Sequence, residues 1–261
     1  CSPRLSSRLL IEPTYHTYGP GQTLGKKDPG PEKLNGFFKD VLDNLETVES
    51  YYKELGKKFE KATGRKNIPI AITEYNGAFI QLEPIPYRHS LGTALFNAGL
   101  MQIFMRPENN ILMANYWQFV NSYWGMVRND SFMDGAGSYT KRPNFYVFKL
   151  FKEHFGKTLL NPKVDSNSLS VSASLSDDCR KIYLMVINKD MKKDTGARIV
   201  IKNSVLSKKA YLWTLNGPSV DSTNETGENV NIKASEARLK NGELNIIFQP
   251  HSMTSIELTR N

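Results

Sequence analysis

The sequence predicts an α/β region over residues 1–158 and an all-β sandwich domain over residues 159–261. Two observations support this division. In the first region, apolar runs of strand length alternate with segments of helical periodicity, which is typical of parallel strands covered by helices. After residue 160, short runs rich in β-branched and aromatic residues are separated by polar turns, as in a sandwich of antiparallel strands.

Each element of the first region has its own signal. Residues 32–62 carry apolar side chains at steps of three and four, and Pro31 and Gly64 flank them, so they predict a long helix. Ile68–Ile72 is a short apolar run, typical of a strand buried on both faces. The remaining expected elements are a strand ending near Tyr18, helices over 88–105 and 143–155, and a strand within "ILMANYWQFV".

The strands of the second region are predicted from short apolar runs bounded by Gly, Asn or polar turns. These runs are "LSVSASL", "KIYLMVIN", "ARIVIKN", "KAYLWTL", "ELNIIFQ" and "MTSIELT". Their length and spacing favour a sandwich over a further set of parallel units.

The first region is short for a complete architecture. Three βα units fit either half of a doubly wound sheet or the last three units of an eight-unit barrel, which normally needs about 250 residues. Composition does not separate these two. The chain begins with Cys1 rather than Met, and we therefore expect it to be processed, trimmed or a fragment of a longer protein.

Composition and charge exclude several function classes. The net charge is +8 at pH 7, but the lysines lie in scattered pairs rather than in a basic stripe with aromatics, so no nucleic-acid partner is predicted. No apolar run of about 18 residues is present, so no membrane association through a spanning helix is predicted. No signal-peptide pattern is visible, and both a cytoplasmic and a secreted location remain open.

Polar and aromatic residues at the predicted strand ends are candidates for a site. In a parallel barrel the active site lies at the C-terminal ends of the strands. The candidates there include a carboxylate, amides, a phenol, an imidazole and indoles. The polar groups would bind sugar hydroxyls, and the aromatic rings would cover the apolar face of a sugar ring. Taken singly, each also has a structural interpretation as a cap, a core group or packing. The candidates are His16, Tyr18, Glu74, Tyr75, Asn76, Asn115, Trp117, Gln118, Asn121 and Trp124.

Other chemistries lack their motifs. The four histidines form no ligand pair at helical spacing, and Cys1 and Cys179 are far apart, so neither a metal site nor a disulfide framework is predicted. The segment "GPGQTLG" has the wrong glycine spacing for a dinucleotide fingerprint. No Ser lies in a nucleophile-elbow motif.

Several segments resemble the C-terminal part of the α-L-arabinofuranosidases of glycoside hydrolase family 51, which are retaining glycosidases built on (β/α)8 barrels. "PIAITEYNGAF" resembles the seventh barrel strand, and "KRPNFYVFKLFKEHFG" resembles the final barrel helix. "YRHSLGTALFNAGLMQIFMRPENNILMANYWQFVNSYWG" is similar to the helix and eighth strand between them, and "IIFQPHSMTSIEL" to the closing sandwich. The resemblance therefore implies the C-terminal portion of a TIM barrel, with its last three βα units, followed by a β-sandwich.

The resemblance also implies roles for the candidate residues. Glu74 would be the catalytic nucleophile, and Tyr18 would hold its carboxylate or the sugar. Gln118 matches an amide that contacts the sugar, and Asn76 matches an Asn whose role is structural. No metal or organic cofactor is implied. The predicted substrate-binding set is His16, Tyr18, Tyr75, Asn76, Asn115, Trp117 and Gln118.

Two departures from the family pattern limit what the resemblance implies. Tyr75 stands where a Trp is usual and Ala78 where a second Trp can line the pocket, so the exact sugar stays open. The acid/base Glu of the family belongs to the fourth barrel strand and is expected upstream of residue 1, since Glu12 and Glu83 do not fit its motif. We therefore expect this fragment alone to be inactive.

The expected partner is an arabinose-containing oligosaccharide or polysaccharide. The alternatives are another retaining glycosidase of the same clan, of β-xylosidase or endoglucanase type, and a non-catalytic carbohydrate-binding protein. A doubly wound domain of unrelated function would instead form a complete open sheet over residues 1–158. The isolated chain would expose a sheet edge, so we expect poor solubility or self-association, including a homo-oligomer.

Overall fold

The computed structural model describes residues 16–18, 30–77, 87–129 and 139–261. Within these ranges a parallel sheet with helices is followed by two packed antiparallel sheets. The predicted fold class, an α/β region followed by a β-sandwich, is therefore confirmed. That the parallel strands belong to an eight-stranded barrel stays a prediction.

The α/β part alternates strands and helices in the predicted order. Its strands are β1 His16–Tyr18, β2 Ile70–Asn76 and β3 Ile111–Tyr116. Its helices are α1 Pro31–Asp43, α2 Leu45–Thr63, α3 Leu91–Phe104 and α4 Pro143–Glu153. A short antiparallel ladder, β4 Val127–Arg128 with β5 Thr140–Lys141, precedes α4. The three main strands are parallel neighbours in the order β1-β2-β3.

The segment predicted as one long helix is two helices. The prediction of a single helix over 32–62 is wrong at Asn44, where α1 ends and after which α2 begins. Asn has a low helix propensity because its side chain competes for backbone hydrogen bonds. The predicted stop is confirmed, since Gly64 caps α2 with a left-handed φ of 67° and donates its N–H to the Glu60 carbonyl.

The predicted strand over Ile68–Ile72 lies further along the chain, at Ile70–Asn76. The strand therefore includes Glu74 and Asn76 instead of ending before them. The first predicted strand is described only at His16–Tyr18. Its preceding residues 8–15 lie outside the described residues, as do Glu12, Ala78 and Glu83.

The sandwich consists of a six-stranded sheet and a two-stranded sheet. The order of the larger sheet is β11-β10-β13-β8-β7-β6, and the smaller sheet pairs β12 with β9. The strands are β6 Thr158–Leu160, β7 Leu169–Leu175, β8 Lys181–Asn188, β9 Thr195–Val200, β10 Leu206–Asn216, β11 Asn231–Arg238, β12 Glu243–Phe248 and β13 Ser252–Arg260. Two edge strands, β6 and β11, were not predicted, because β6 has only three residues and β11 has little apolar pattern.

The central strands of the six-stranded sheet, β8 and β13, are buried on both faces. Successive residues of a strand point to opposite faces, and β8 uses both: Met185 and Ile187 pack against the helices, while Leu184 and Val186 pack toward β9 and β12. The first face shares one core with the α/β part. The protein is therefore layered, with the large sheet between the helices and the small sheet.

Gly156 joins α4 to β6 and allows the two parts to approach closely. A Cβ added there would stand 1.8 Å from the backbone carbonyl oxygen of Leu175. We expect Gly156→Ala to lower the free energy of unfolding by about 3 kcal/mol, because the strand backbone must move to make room. The measurement is the midpoint of urea unfolding.

Gly196→Ala on β9 is the matched control. A Cβ at that position meets nothing within 4 Å, so its midpoint should remain close to that of the parent protein. Equal midpoints for the two variants would contradict the close approach at Gly156.

Candidate active site

Glu74 lies on a β-bulge in the middle strand of the parallel sheet. Ile72 pairs with Ala114, and Tyr75 pairs with Tyr116. Between these two pairs the chain advances three residues along β2 but only two along β3. β2 therefore carries one extra residue in the segment that includes Glu74. Ala114 and Tyr116 point to the same face of the sheet, so the bulge places Tyr75 on the same face as Ile72. Glu74 does not point to that face and is half-buried.

The parallel pairing of β1 with β2 brings two of the predicted strand ends together. His16 pairs with Glu74, and Tyr18 pairs with Asn76. Neighbouring parallel strands hold paired residues about 4.8 Å apart. The backbone thus places both polar segments at the C-terminal end of the parallel sheet.

Asn76 is buried and ties the end of β2 to three other elements. Its Nδ2 donates to the carbonyl of Trp117 at 2.6 Å, and its Oδ1 accepts from Nδ2 of Asn97 on α3 at 3.1 Å. Asn97 also donates to Oδ1 of Asn144 on α4 at 2.8 Å. Asn76 is 1% exposed, and its side chain is occupied by these internal hydrogen bonds.

Tyr75 lies in the core and not at the surface. It is 2% exposed, and its ring makes edge contacts with Phe104 of α3 and with Tyr116. Burial raises the pKa of the Tyr75 phenol, and the neighbouring Tyr116 phenol raises it further. The structure therefore does not place Tyr75 with the other predicted substrate-binding residues.

The residues after β3 form the exposed side of the candidate site. Asn115 and Trp117 are exposed, and Gln118 is half-buried. The N–H of Trp117 donates to the Tyr75 carbonyl at 3.0 Å, and the Trp117–Gln118 peptide bond is cis. An indole and an amide thus follow directly on the strand beside Glu74, a combination suited to a sugar ring and its hydroxyls.

The segment 117–126, called here the β3–β4 loop, is held by a buried arginine. Arg142 is 1% exposed. Its guanidinium donates to the carbonyls of Ser122 at 2.6 Å and Gly125 at 2.7 Å, and to Oε1 of Glu225 at 2.7 Å. Arg142 was not among the predicted site residues; its one local signal in the sequence is its position directly before Pro143, at the start of a helix.

Two further basic side chains hold the tip of the same loop. Arg88 Nε donates to the Tyr123 carbonyl at 2.9 Å, and its guanidinium lies 3.6 Å from the centre of the Tyr123 ring. Nε2 of His89 lies 2.9 Å from the same carbonyl. Burial, together with the charge of Arg142, lowers the pKa of His89 to about 3, although Glu225 opposes the shift. His89 is therefore neutral at physiological pH and donates from Nε2.

The described part of the chain offers neither a metal cluster nor a spanning segment. No group of three or more His, Cys, Asp and Glu side chains there could hold a metal ion. Of the helices described, none is both long enough and apolar enough to cross a membrane.

The arrangement of a parallel sheet, a covering helical layer and a closing sandwich is shared with part of several solved glycoside hydrolases. An α-L-arabinofuranosidase from Thermotoga maritima, solved with arabinose, matches with a TM-score of 0.75 and 22% identity over 95% of this chain and 52% of that chain. The family 51 enzyme from Thermotoga petrophila matches with a TM-score of 0.71 and 21% identity over 84% and 50%. CelM2, a bifunctional glucanase-xylanase from a metagenome library, matches with a TM-score of 0.56 and 19% identity over 80% and 34%.

The family itself is identified from the sequence match. The sequence model of the α-L-arabinofuranosidase C-terminal domain family matches residues 74–252. The chain therefore belongs to this family. It spans about half of the length of the solved arabinofuranosidases that it matches. The search of curated proteins found no match.

His89 is expected to make stability pH-dependent. Its pKa is lowered in the folded protein to about 3 from an ordinary value of 6.5, so the unfolded chain binds a proton between these values that the folded protein does not. Its contribution is therefore present above pH 6.5 and lost as the pH falls toward 3, at no more than about 1.4 kcal/mol per pH unit. The groups facing it are Tyr123, Arg88, Arg142 and Glu225.

The measurement is the free energy of unfolding at pH 7, 6 and 5 for the parent protein and His89→Gln. Gln keeps an N–H donor for the Tyr123 carbonyl but does not titrate, and both proteins retain the other histidines. The loss of stability on acidification should be smaller in the variant. Parallel pH profiles would contradict a neutral buried His89.

Proposed function

We propose that the chain is part of a retaining α-L-arabinofuranosidase that releases arabinose from arabinose-containing oligosaccharides or polysaccharides, with Glu74 as its nucleophile. The observation that carries the proposal is the position of Glu74. It lies on a bulge at the C-terminal end of a parallel strand, beside the positions of His16 and Tyr18 and before the exposed Trp117. Membership of the arabinofuranosidase family supports this assignment.

In this mechanism the Glu74 carboxylate attacks the anomeric carbon while the leaving oxygen takes a proton from a second carboxylic acid. The covalent glycosyl-enzyme is then hydrolysed by water, which the second group activates as a base. Retention requires the two carboxyl groups about 5–5.5 Å apart. The second group is expected on an earlier barrel strand, upstream of residue 1.

The remaining strand-end residues would bind the sugar. Trp117 offers an aromatic face, Gln118 and Asn115 offer amide groups for hydroxyls, and Tyr18 would hold the carboxylate or the sugar. Asn76 would act indirectly, by positioning Trp117, because its side chain donates to the Trp117 carbonyl at 2.6 Å. The sandwich shares a hydrophobic core with the helices of the α/β part.

A β-linked xylose or glucose polymer is the second candidate substrate. Its specific support is the fold shared with CelM2, the glucanase-xylanase, although that match is weaker than those to the arabinofuranosidases. Tyr75 stands where the family commonly has Trp. Because Tyr75 lies in the core, it does not discriminate between the two candidate substrates.

The test compares the predicted full-length protein with its Glu74→Ala variant on chromogenic α-L-arabinofuranosides, β-xylosides and β-glucosides. We expect the parent to cleave the arabinofuranoside and the variant to lose about three orders of magnitude or more in kcat, since an essential nucleophile is gone. Azide fits the space vacated by the carboxylate and should restore turnover, giving a glycosyl azide of inverted configuration.

Glu54→Gln on the exposed face of α2 is the matched control and should retain full activity. An active parent with an equally active Glu74→Ala variant would rule out Glu74 as the nucleophile. A parent that cleaves xylosides or glucosides instead would favour the second candidate. A parent that binds arabino-oligosaccharides without cleaving them would indicate a carbohydrate-binding protein.

A further inference from the structure

We propose that Glu225, on the β-sandwich, is a positioning residue for the sugar site of the α/β part. It holds Arg142, and through Arg142 it fixes the β3–β4 loop that begins with Trp117 and Gln118. This inference deepens the proposed function and rests on it for the identity of the ligand. The positioning itself can be tested without any activity.

The carboxylate of Glu225 is placed by the loop between β10 and β11, called here the β10–β11 loop. Its Oε1 accepts from Arg142 Nε at 2.7 Å, and its Oε2 accepts from Arg142 Nη2 at 3.2 Å. Arg128 Nη1 lies 3.3 Å from Oε2. The paired contacts with Arg142 fix the plane of the guanidinium as well as its position.

The other guanidinium donors of Arg142 hold the β3–β4 loop. Beyond the bonds to Ser122 and Gly125, Nη1 donates to the Asn121 carbonyl at 3.3 Å. The backbone continues the connection, because the N–H of Arg142 donates to the Met126 carbonyl and the N–H of Met126 donates to the Gln118 carbonyl, both at 2.9 Å. Glu225 is thus linked to Gln118 by an unbroken set of hydrogen bonds.

The pair needs both members because both are buried. The side chain of Arg142 is 1% exposed and that of Glu225 is 11% exposed. A buried guanidinium without its counter-ion is strongly unfavourable, so it would turn toward water and leave the loop carbonyls. Burial alone would raise the pKa of Glu225, but the hydrogen bond and charge of Arg142, with smaller contributions from His89 and Arg128, together lower it. Glu225 therefore stays ionised at neutral pH.

The β10–β11 loop is itself anchored to the α/β part. The first N–H groups of α3, on Leu91 and Gly92, donate to the carbonyls of Ser222 at 2.9 Å and Val220 at 2.7 Å. Nδ2 of Asn224 donates to the Lys141 carbonyl at 3.0 Å. Asn224 is 4% exposed, and its side chain also bonds to the backbone of Val230 within the loop. Glu225 consequently approaches Arg142 from a fixed backbone.

The first test is amide hydrogen exchange of the predicted full-length protein and its Glu225→Gln variant. We expect the Met126 and Val127 amides, which bond to the Gln118 and Phe119 carbonyls, to exchange at least about tenfold faster in the variant. Amides of β13 should be unchanged. Unchanged exchange in the β3–β4 loop, or a uniform increase over both parts, would overturn the proposal.

Glu228→Gln is the matched control, because it makes the same substitution in the same loop. Glu228 accepts from the Tyr146 hydroxyl at an exposed position, so its variant should exchange and turn over like the parent. If Glu225→Gln does not fold, Glu225→Asp retains the charge but shortens the reach to Arg142. It should then show accelerated exchange confined to the β3–β4 loop, and unchanged exchange there would overturn the proposal.

The second test connects the loop to the sugar. Glu225→Gln should lower kcat/KM for the substrate that the parent cleaves by about 10- to 100-fold. In a Gln118→Ala background the same substitution should cost less than about threefold, because its effect passes through Gln118 and its loop. Independent, multiplying losses would overturn the link to the sugar.

The two proposals fail separately. A parent inert on every glycoside contradicts the proposed function, while faster loop exchange in Glu225→Gln would still support positioning by Glu225. An active parent with unchanged loop exchange in the variant contradicts the positioning role alone.

Discussion

Burial of α3 is the constraint on which both parts of the protein depend. Every residue of α3 except Met101 is buried, and the helix contacts α1, α2, α4, β2 and β3 on the one side and β7 and β8 on the other. A helix that is buried on nearly every side, as α3 is, has no face for solvent and must be covered by packing in every direction. The parallel sheet and the six-stranded sheet provide that cover together, which explains why they share one core.

Two buried amides set the rotation of α3 within this core. Gln102 donates to the Met185 carbonyl in the sandwich at 2.9 Å, while Asn97 donates to Asn76 and Asn144 in the α/β part. Turning the helix would leave these groups buried and unpaired, at roughly 1–3 kcal/mol for each. The helix that joins the two parts thus also fixes the end of β2, where Glu74 lies.

The elements that follow a hydrophobic period could be predicted, and those defined by long-range contacts could not. β7 and β8 coincide with their predicted runs because both contribute apolar residues to the core, whereas β11 is a polar edge strand. At the site, Glu74 was predicted because an apolar run precedes it. The bulge that moves Tyr75 into the core leaves no mark in the sequence, since it exists only in the pairing with β3. Arg142 and Glu225 are 83 residues apart, so no local pattern connects them.

The ion pair of Arg142 and Glu225 contributes geometry more than stability. Desolvation offsets much of the attraction in a buried pair, and apolar side chains of similar volume often serve stability as well or better. A guanidinium, however, has five N–H donors in a rigid fork. In Arg142 they reach both oxygens of Glu225 and the carbonyls of Asn121, Ser122 and Gly125. No apolar replacement could hold three carbonyls of one loop in a fixed relation to another domain. The sandwich therefore supplies the counter-ion, Glu225, that allows Arg142 to be buried beside the β3–β4 loop.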